Sequence, residues 1–298
     1  MQKLATFLRE VRWGDSMPLG ESLTIMPLLV DAFGERDYDL FEEALRQGRV
    51  SIEERKNAEV GALMVTVRGS RPVLILEGTL LEGGLQTRTV NLTLMLEEGT
   101  HDVAVSCVER GRWGKYRPFH AWHFLLDSEL RSRKTAAVIR HLRRYRVLSS
   151  AQTELWDLVA EKLYAAKVSS KTEAFSDLLS SYGDDIAAEL VAQPLETQVG
   201  ALVLRNGRVL GLDLFDHPEI WQAVAQKVLG SYVIAARWAL MPDSLTLDDF
   251  LAFLQEASVE VVPAPVGLGR HLLLEGGLIG FGLEEKGRIR HLFITPLG

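Results

Sequence analysis

Residues 86–109, QTRTVNLTLMLEEGTHDVAVSCVE, alternate in hydropathy on either side of a glutamate–glycine bend. Period-two alternation over that length calls for two strands whose common apolar face is covered by another layer. In the first arm Gln86, Arg88, Val90, Leu92, Leu94 and Leu96 share one face, and Thr87, Thr89, Asn91, Thr93 and Met95 share the other. In the second arm His101, Val103, Val105, Cys107 and Glu109 share a face. Centring the turn on Glu98-Gly99 pairs Leu94 with Val103, Leu92 with Val105, Val90 with Cys107 and Arg88 with Glu109. A slip of one residue would set apolar against polar faces.

That register puts a guanidinium beside a carboxylate at the end of an apolar face, with Cys107 one step inward and Gln86, Arg112 and Trp113 beyond. Two readings stand side by side. In one, the Arg88–Glu109 pair closes the end of a sheet, worth roughly 0.2–1 kcal/mol. In the other it is a pocket mouth. Arg88 and Arg112 then grip an anion, Trp113 stacks on it, Glu109 moves protons and Cys107 is a candidate nucleophile. Asp213, on the apolar strand Val209–Phe215, reads as a strand-end carboxylate reaching solvent or loop amides, or as a further ligand contact. His120 and His123 lack a third ligand, so no metal is expected. No nucleotide-loop or nucleophile-elbow motif names a cofactor.

The rest of the chain reads as α+β. The N-terminal half, 1–125, is expected to form an antiparallel β-sandwich or partial barrel, after an opening helix at Gln2–Arg9 and a helix at Tyr38–Arg46. The remainder, 126–298, reads as helices plus β-hairpins, and the two halves as one integrated unit. Ser149 with Gln152 and Ser170 with Glu173 have capping-box spacing, and Tyr182-Gly183 reads as a helix end. Asn206-Gly207 is a strong hairpin signal. Asp216 is expected to cap a helix before Pro218, and further helices are expected near Tyr232–Leu240 and Leu247–Glu256. The tail to Phe293 reads as strands turning at Gly276-Gly277 and Lys286-Gly287.

Net charge is −7, from 33 basic and 40 acidic residues, which disfavours nucleic acid as a partner. Arg131, Arg133, Lys134, Arg140, Arg143, Arg144 and Arg146 form a local exception on an expected amphipathic helix. Its basic outer face is a solvated surface or a grip for a phosphate-bearing partner. The absence of a long apolar run argues against a membrane partner, and the charged opening MQKLATFLREVRWGD does not read as a signal peptide. With one cysteine, the expectation is a cytoplasmic protein. Self-association stays open.

Four stretches carry a resemblance: GTLLEGGLQTRTVNLTLML (78–96), VSCVERGRW (105–113), SSAQTELWDLVAEKL (149–163) and QVGALVLRNGRVLGLDLFDHPE (198–219). The chain resembles the domain family associated with ADP-ribosylglycohydrolases and rhodanese-phosphatase superfamily proteins. Gln86, Arg88, Asn91, Cys107, Glu109, Arg112 and Trp113 fall on that family's pattern, as do Gln152, Trp156 and Asp213. Thr79 and Leu85 depart from it, standing where an acidic residue and a lysine are common. The resemblance implies binding or processing of an ADP-ribose-related or other phosphate-bearing small molecule, with Gln86 and Asn91 orienting it. The alternative is a non-catalytic binding or assembly module in which the cluster is structural.

Overall fold

A computed structural model of the protein describes residues 2–6, 8–114, 116–190, 193–240, 245–275 and 277–296. The strands of the N-terminal half are β1 (Gln2–Lys3), β2 (Val11–Trp13), β3 (Met17–Leu19), β4 (Leu23–Val30), β5 (Asp39–Leu40), β6 (Val50–Glu53), β7 (Ala62–Val67), β8 (Val73–Ile75), β9 (Thr79–Gly84), β10 (Arg88–Val90), β11 (Leu94–Leu96), β12 (Gly99–Cys107) and β13 (Arg117–Leu125). Those of the C-terminal half are β14 (Gln198–Arg205), β15 (Arg208–Phe215), β16 (Ser258–Pro263), β17 (Arg270–Glu275), β18 (Leu278–Glu285) and β19 (Arg288–Pro296). The helices are α1 (Phe41–Arg46), α2 (Ser128–Tyr145), α3 (Gln152–Ala165), α4 (Phe175–Glu189), α5 (Pro218–Arg237) and α6 (Leu247–Glu256).

The fold is α+β. A ten-stranded antiparallel sheet runs β1-β16-β17-β18-β19-β15-β14-β4-β2, with β3 also on β4. A six-stranded sheet runs β13-β9-β10-β12-β7-β6, and a three-stranded one β11-β8-β5. Side chains of β14 alternate between two cores: Ala201 and Val203 join the α5 residues, whereas Leu202 and Leu204 join Phe250 and Leu254 of α6. Helix α5 also touches β13 of the six-stranded sheet. Gly230 permits that contact, because a Cβ there would lie 2.5 Å from the Phe124 ring.

Local signals held where backbone sign decides. Asn206 and Gly207 have φ of 50° and 76°, and Lys286 and Gly287 have 51° and 78°, as tight hairpin turns require. Helix α6 spans the expected Leu247–Glu256. Gly276 lies outside the described residues. The opening is a two-residue strand and a 3-10 turn at Leu4–Thr6 instead of a helix. There Gln2 pairs with Val259 and Leu4 is fully buried, so pairing across the chain outweighs local helix propensity. Helix α1 begins at Phe41, because Asp39 and Leu40 pair with β8. Helix α4 runs on through Gly183 to Glu189, and α5 is one helix of 20 residues. His217 caps α5, its Nδ1 accepting the Glu219 amide at 3.1 Å; Asp216 instead binds Tyr38 and Arg290.

The expected long first arm of the hairpin is broken in two. Asn91 donates to the Leu148 carbonyl at 2.8 Å and accepts from Ser106 Oγ at 2.6 Å. Thr93 Oγ1 accepts the Glu77 amide at 2.9 Å and meets His291 Nδ1 at 2.7 Å. These bonds bend the chain between β10 and β11. Leu94–Leu96 therefore pair with Val73–Ile75 instead of β12, and β12 pairs with β7 over residues 99–104. Arg88 lies opposite Cys107, two residues from the expected pairing with Glu109. An even shift keeps every side chain on its face.

Beneath that bend the layers meet at a sealed charge network. Arg131 of α2 donates Nε to Glu77 at 2.8 Å, and its terminal nitrogens reach Asp213 of β15 at 2.8 and 3.3 Å. Lys134 donates to Glu77 at 2.6 Å and to the carbonyls of Val90 and Asn91 at 2.8 and 2.9 Å. Asp213 also accepts from Tyr232 at 2.7 Å and lies 2.9 Å from His291 Nε2. The Arg131 guanidinium sits 4.0 Å from the Phe293 ring centroid. All these polar groups are buried. Asp213 is thus an interior ion-pair partner, not a strand-end carboxylate reaching solvent. Arg131 and Lys134 likewise leave the expected basic outer face of α2.

Burial by itself raises the carboxyl pKa values of Asp213 and Glu77. Arg131 and His291 outweigh it at Asp213, and Arg131 and Lys134 at Glu77, so both lie below their ordinary values of 3.8 and 4.5. Such groups stabilise the fold fully above their unfolded pKa values and lose that stabilisation as pH falls through the folded ones. Unfolding by urea between pH 7 and pH 2 should show stability falling below about pH 4. Asp213→Asn should cost about 3–5 kcal/mol at pH 7 by leaving Arg131 half-paired, and should flatten the acid limb.

Candidate functional site

At the end of β10 and β12 the chain assembles Gln86, Arg88, Cys107, Glu109, Arg112 and Trp113, but with partners other than those expected. The Glu109 carboxylate, expected to meet Arg88, meets Arg112 instead, at 2.7 and 2.8 Å. Thr87 adds its amide and hydroxyl to Oε2, each at 2.8 Å, and Thr172 donates to Oε1 at 2.9 Å. Burial would raise the Glu109 pKa, yet Arg112, Thr87 and Thr172 hold it below the ordinary 4.5. Arg112 also donates to the carbonyls of Gly83 and Gly84 at 3.2 and 3.0 Å, tying the loop to β9. Gly84 is required there: its φ is +50°, and a Cβ would lie 2.3 Å from the Phe119 ring.

Arg88 is fully buried. It donates to the carbonyls of Val60 at 3.0 Å and Gln86 at 2.7 Å, and lies 3.7 Å from Glu54. The ring of Trp113, itself 51% exposed, lies 5.7 Å above its guanidinium. Burial draws the Arg88 pKa below its ordinary value against the pull of Cys107 and Glu54. Gln86 Oε1, Arg88 Nη2 and Glu54 Oε2 are enclosed without a hydrogen-bond partner.

Cys107 is buried, and its thiol donates to the Glu109 carbonyl at 3.0 Å. Burial raises its pKa above 9.0 although the Glu109 backbone, Arg88 and Trp156 all favour the thiolate. Gln152, at the first turn of α3, clamps the Cys107 backbone: Oε1 accepts its amide at 2.9 Å and Nε2 donates to its carbonyl at 2.8 Å. The expected capping box is absent, because the side chain that would close it is spent on β12; Ala151 holds the cap position.

Asn91 and Asp213 stand apart from this cluster, in the bend and in the sealed network. Thr93, Glu77 and His291 come together only in the tertiary structure. Thr93, His291 and Asp213 form a chain of hydroxyl, imidazole and carboxylate, but all three are buried, and Thr93 already accepts the Glu77 amide. No substrate carbonyl has access to that hydroxyl, so the chain is structural. No local signal marks it, since Thr93 and His291 are 198 residues apart.

A cavity of about 400 Å³ opens along the other side of α2, and none of the predicted site residues lines it. Arg133, Arg140, Arg143 and Arg205 face it together with apolar side chains of β15, β17 and β18. Among the described residues no His, Cys, Asp or Glu cluster is placed to hold a metal ion, and no helix is long and apolar enough to cross a membrane.

A family model described as the ARG and Rhodanese-Phosphatase-superfamily-associated Protein domain matches residues 12–295. The chain belongs to that family. The match covers the Glu109 cluster and every residue lining the α2 cavity except Pro296. No curated protein and no solved structure matches the chain.

In this family member, Glu109→Gln would turn an accepting oxygen into a donor facing Thr87 and Arg112. It should lower stability by about 2–3 kcal/mol, whereas Thr172→Val, which removes one neutral donor, should cost about 1 kcal/mol. Urea unfolding of both variants checks the ranking; equal, small losses would remove the case for a brace.

Proposed function

We propose that this protein binds a phosphate-bearing small molecule of the ADP-ribose class without turning it over, and that the cluster around Glu109 braces the fold. The ligand class is supported by the family, whose name records an association with ADP-ribosylglycohydrolases. The non-catalytic half rests on Glu109. A general base needs a lone pair aimed at substrate and a general acid needs a proton near neutral pH. Glu109 instead accepts from Arg112, Thr87 and Thr172, and its pKa is lowered. Cys107 is enclosed as a neutral thiol, the inert form of cysteine. Its lone, reduced state suits a cytoplasmic setting.

A second reading is favoured by the three enclosed, unsatisfied atoms of Gln86, Arg88 and Glu54. In it, displacement of Trp113 opens the cluster to a ligand. Gln86, Arg88, Arg112 and Trp113 then hold that ligand, Asn91 and Asp213 act from behind, and Glu109 and Cys107 are the catalytic pair.

Incubation with ADP-ribose, NAD and an ADP-ribosylated peptide, with calorimetry and product analysis in parallel, separates the two. The binding reading expects saturable heat with ADP-ribose, no product, and unchanged affinity in Cys107→Ala. Product that falls about a hundredfold in Glu109→Gln would establish the catalytic reading.

A further inference from the structure

We infer that the cavity along α2 is a nucleoside diphosphate site in which Arg133 and Arg140 hold the phosphates. The inference rests on the phosphate-ligand reading above and gives that ligand a place.

Helix α2 has two faces with different duties. Arg131 and Lys134 point inward and are consumed by Glu77 and Asp213. Arg133, Ala136, Arg140 and Arg143 follow one another at spacings of three, four and three, a single helical stripe, and all four line the cavity. Arg143 is engaged by Glu260 at 2.9 Å and by the Leu274 carbonyl. Arg205, on the facing wall, donates to the Ala236 carbonyl at 2.8 Å. The side chains of Arg133 and Arg140 have neither a hydrogen bond nor an ion pair with any described residue. Their guanidiniums are the cavity's uncommitted positive charge. The Glu129 carboxylate at the same cavity is neutralised by Lys162 at 2.7 Å, and Glu154 is a second carboxylate in its lining.

The opposite wall is of another character. Leu210, Leu274, Leu278 and Ile279 give an apolar surface suited to the face of a base. Ser132 and Thr295, bonded to each other at 2.7 Å in the lining, are hydroxyls able to turn toward a ribose. A volume of about 400 Å³ suits one small molecule, and a chain of net charge −7 repels a nucleic-acid polymer. Seven residues separate the two free arginines, about 10 Å along the helix axis. Side chains of that reach converge from two turns onto adjacent phosphates, whereas a monophosphate engages one of them. The stripe therefore selects a diphosphate joined to a planar base.

Calorimetry on the full chain with ADP, ADP-ribose, AMP, adenosine and inorganic phosphate tests this. The wild-type protein should bind ADP at one site, with AMP about tenfold weaker. The double variant Arg133→Ala/Arg140→Ala should lose at least about tenfold in ADP affinity. Arg144→Ala, on the same helix over Tyr145 and outside the cavity, should lose none. Ala136→Trp, which fills the cavity without changing charge, should reproduce the loss and guards against a folding defect in the double variant. If the wild type binds ADP but the double variant and Ala136→Trp bind it equally well, or Arg144→Ala loses as much, the site is refuted while the phosphate reading stands. If the wild type binds none of the phosphate compounds, ADP-ribose included, both are overturned.

Discussion

Two carboxylates and two cations sealed from water at the junction of α2, α5, β15 and β19 impose an all-or-none condition on this chain. A buried charge without its partner is far costlier than a buried pair, and here the four charges come from three separate stretches of sequence. Glu77 follows β8, Arg131 and Lys134 lie on α2, and Asp213 sits in the middle of β15. Tyr232 and His291 complete the coordination of Asp213, and His291 leads on to Thr93 at the bend between β10 and β11. The small sheets and the ten-stranded sheet therefore dock in one relative position, since any other strands at least one of these charges.

Helix α2 transmits that condition to the surface. Its inner residues are fixed by the network, so the rotation of the helix about its axis is fixed as well, and with it the direction of the arginine stripe. Asp127 caps its start, and Lys162 of α3 reaches back to Asp127 and Glu129, fastening the first turn. The Glu109 cluster does comparable work at the far end of the six-stranded sheet, where Arg112 ties β9 to the loop after β12 and Gln152 ties α3 to Cys107. The sealed network encloses ions that answer one another, whereas the side chains of Arg133 and Arg140 at the α2 cavity are engaged by no described residue.

Much of the fold was legible where a short window contains its own cause. Asn206-Gly207 and Lys286-Gly287 demand positive φ at consecutive residues, so their hairpins stand in isolation. Helix α6 carries its own cap in Thr246 and Asp249. The faces of the 86–109 hairpin were also legible, because parity survives a two-residue shift. Its register was not: the pairing of Arg88 depends on where the strand breaks, and the break depends on Thr93 meeting His291 in the last strand. The same holds for Gln152, whose spacing from Ser149 fits a cap until Cys107 claims its amide, and for Asp216, which a distant Tyr38 and Arg290 draw away from the start of α5.

Hydropathy alternation and turn chemistry, read alone, determine that this is an α+β chain with antiparallel strands, and they bring Gln86, Arg88, Cys107, Glu109, Arg112 and Trp113 to one sheet end. Tertiary structure decided which carboxylate meets which cation, that Arg131 and Lys134 turn inward while Arg133 and Arg140 face a cavity, and that the thiol is enclosed. The reason is range. Dihedral preference and period act over a few residues and are written locally, whereas the cost of burying a charge is settled by whichever partner the fold brings near, across separations as long as the 82 residues between Arg131 and Asp213.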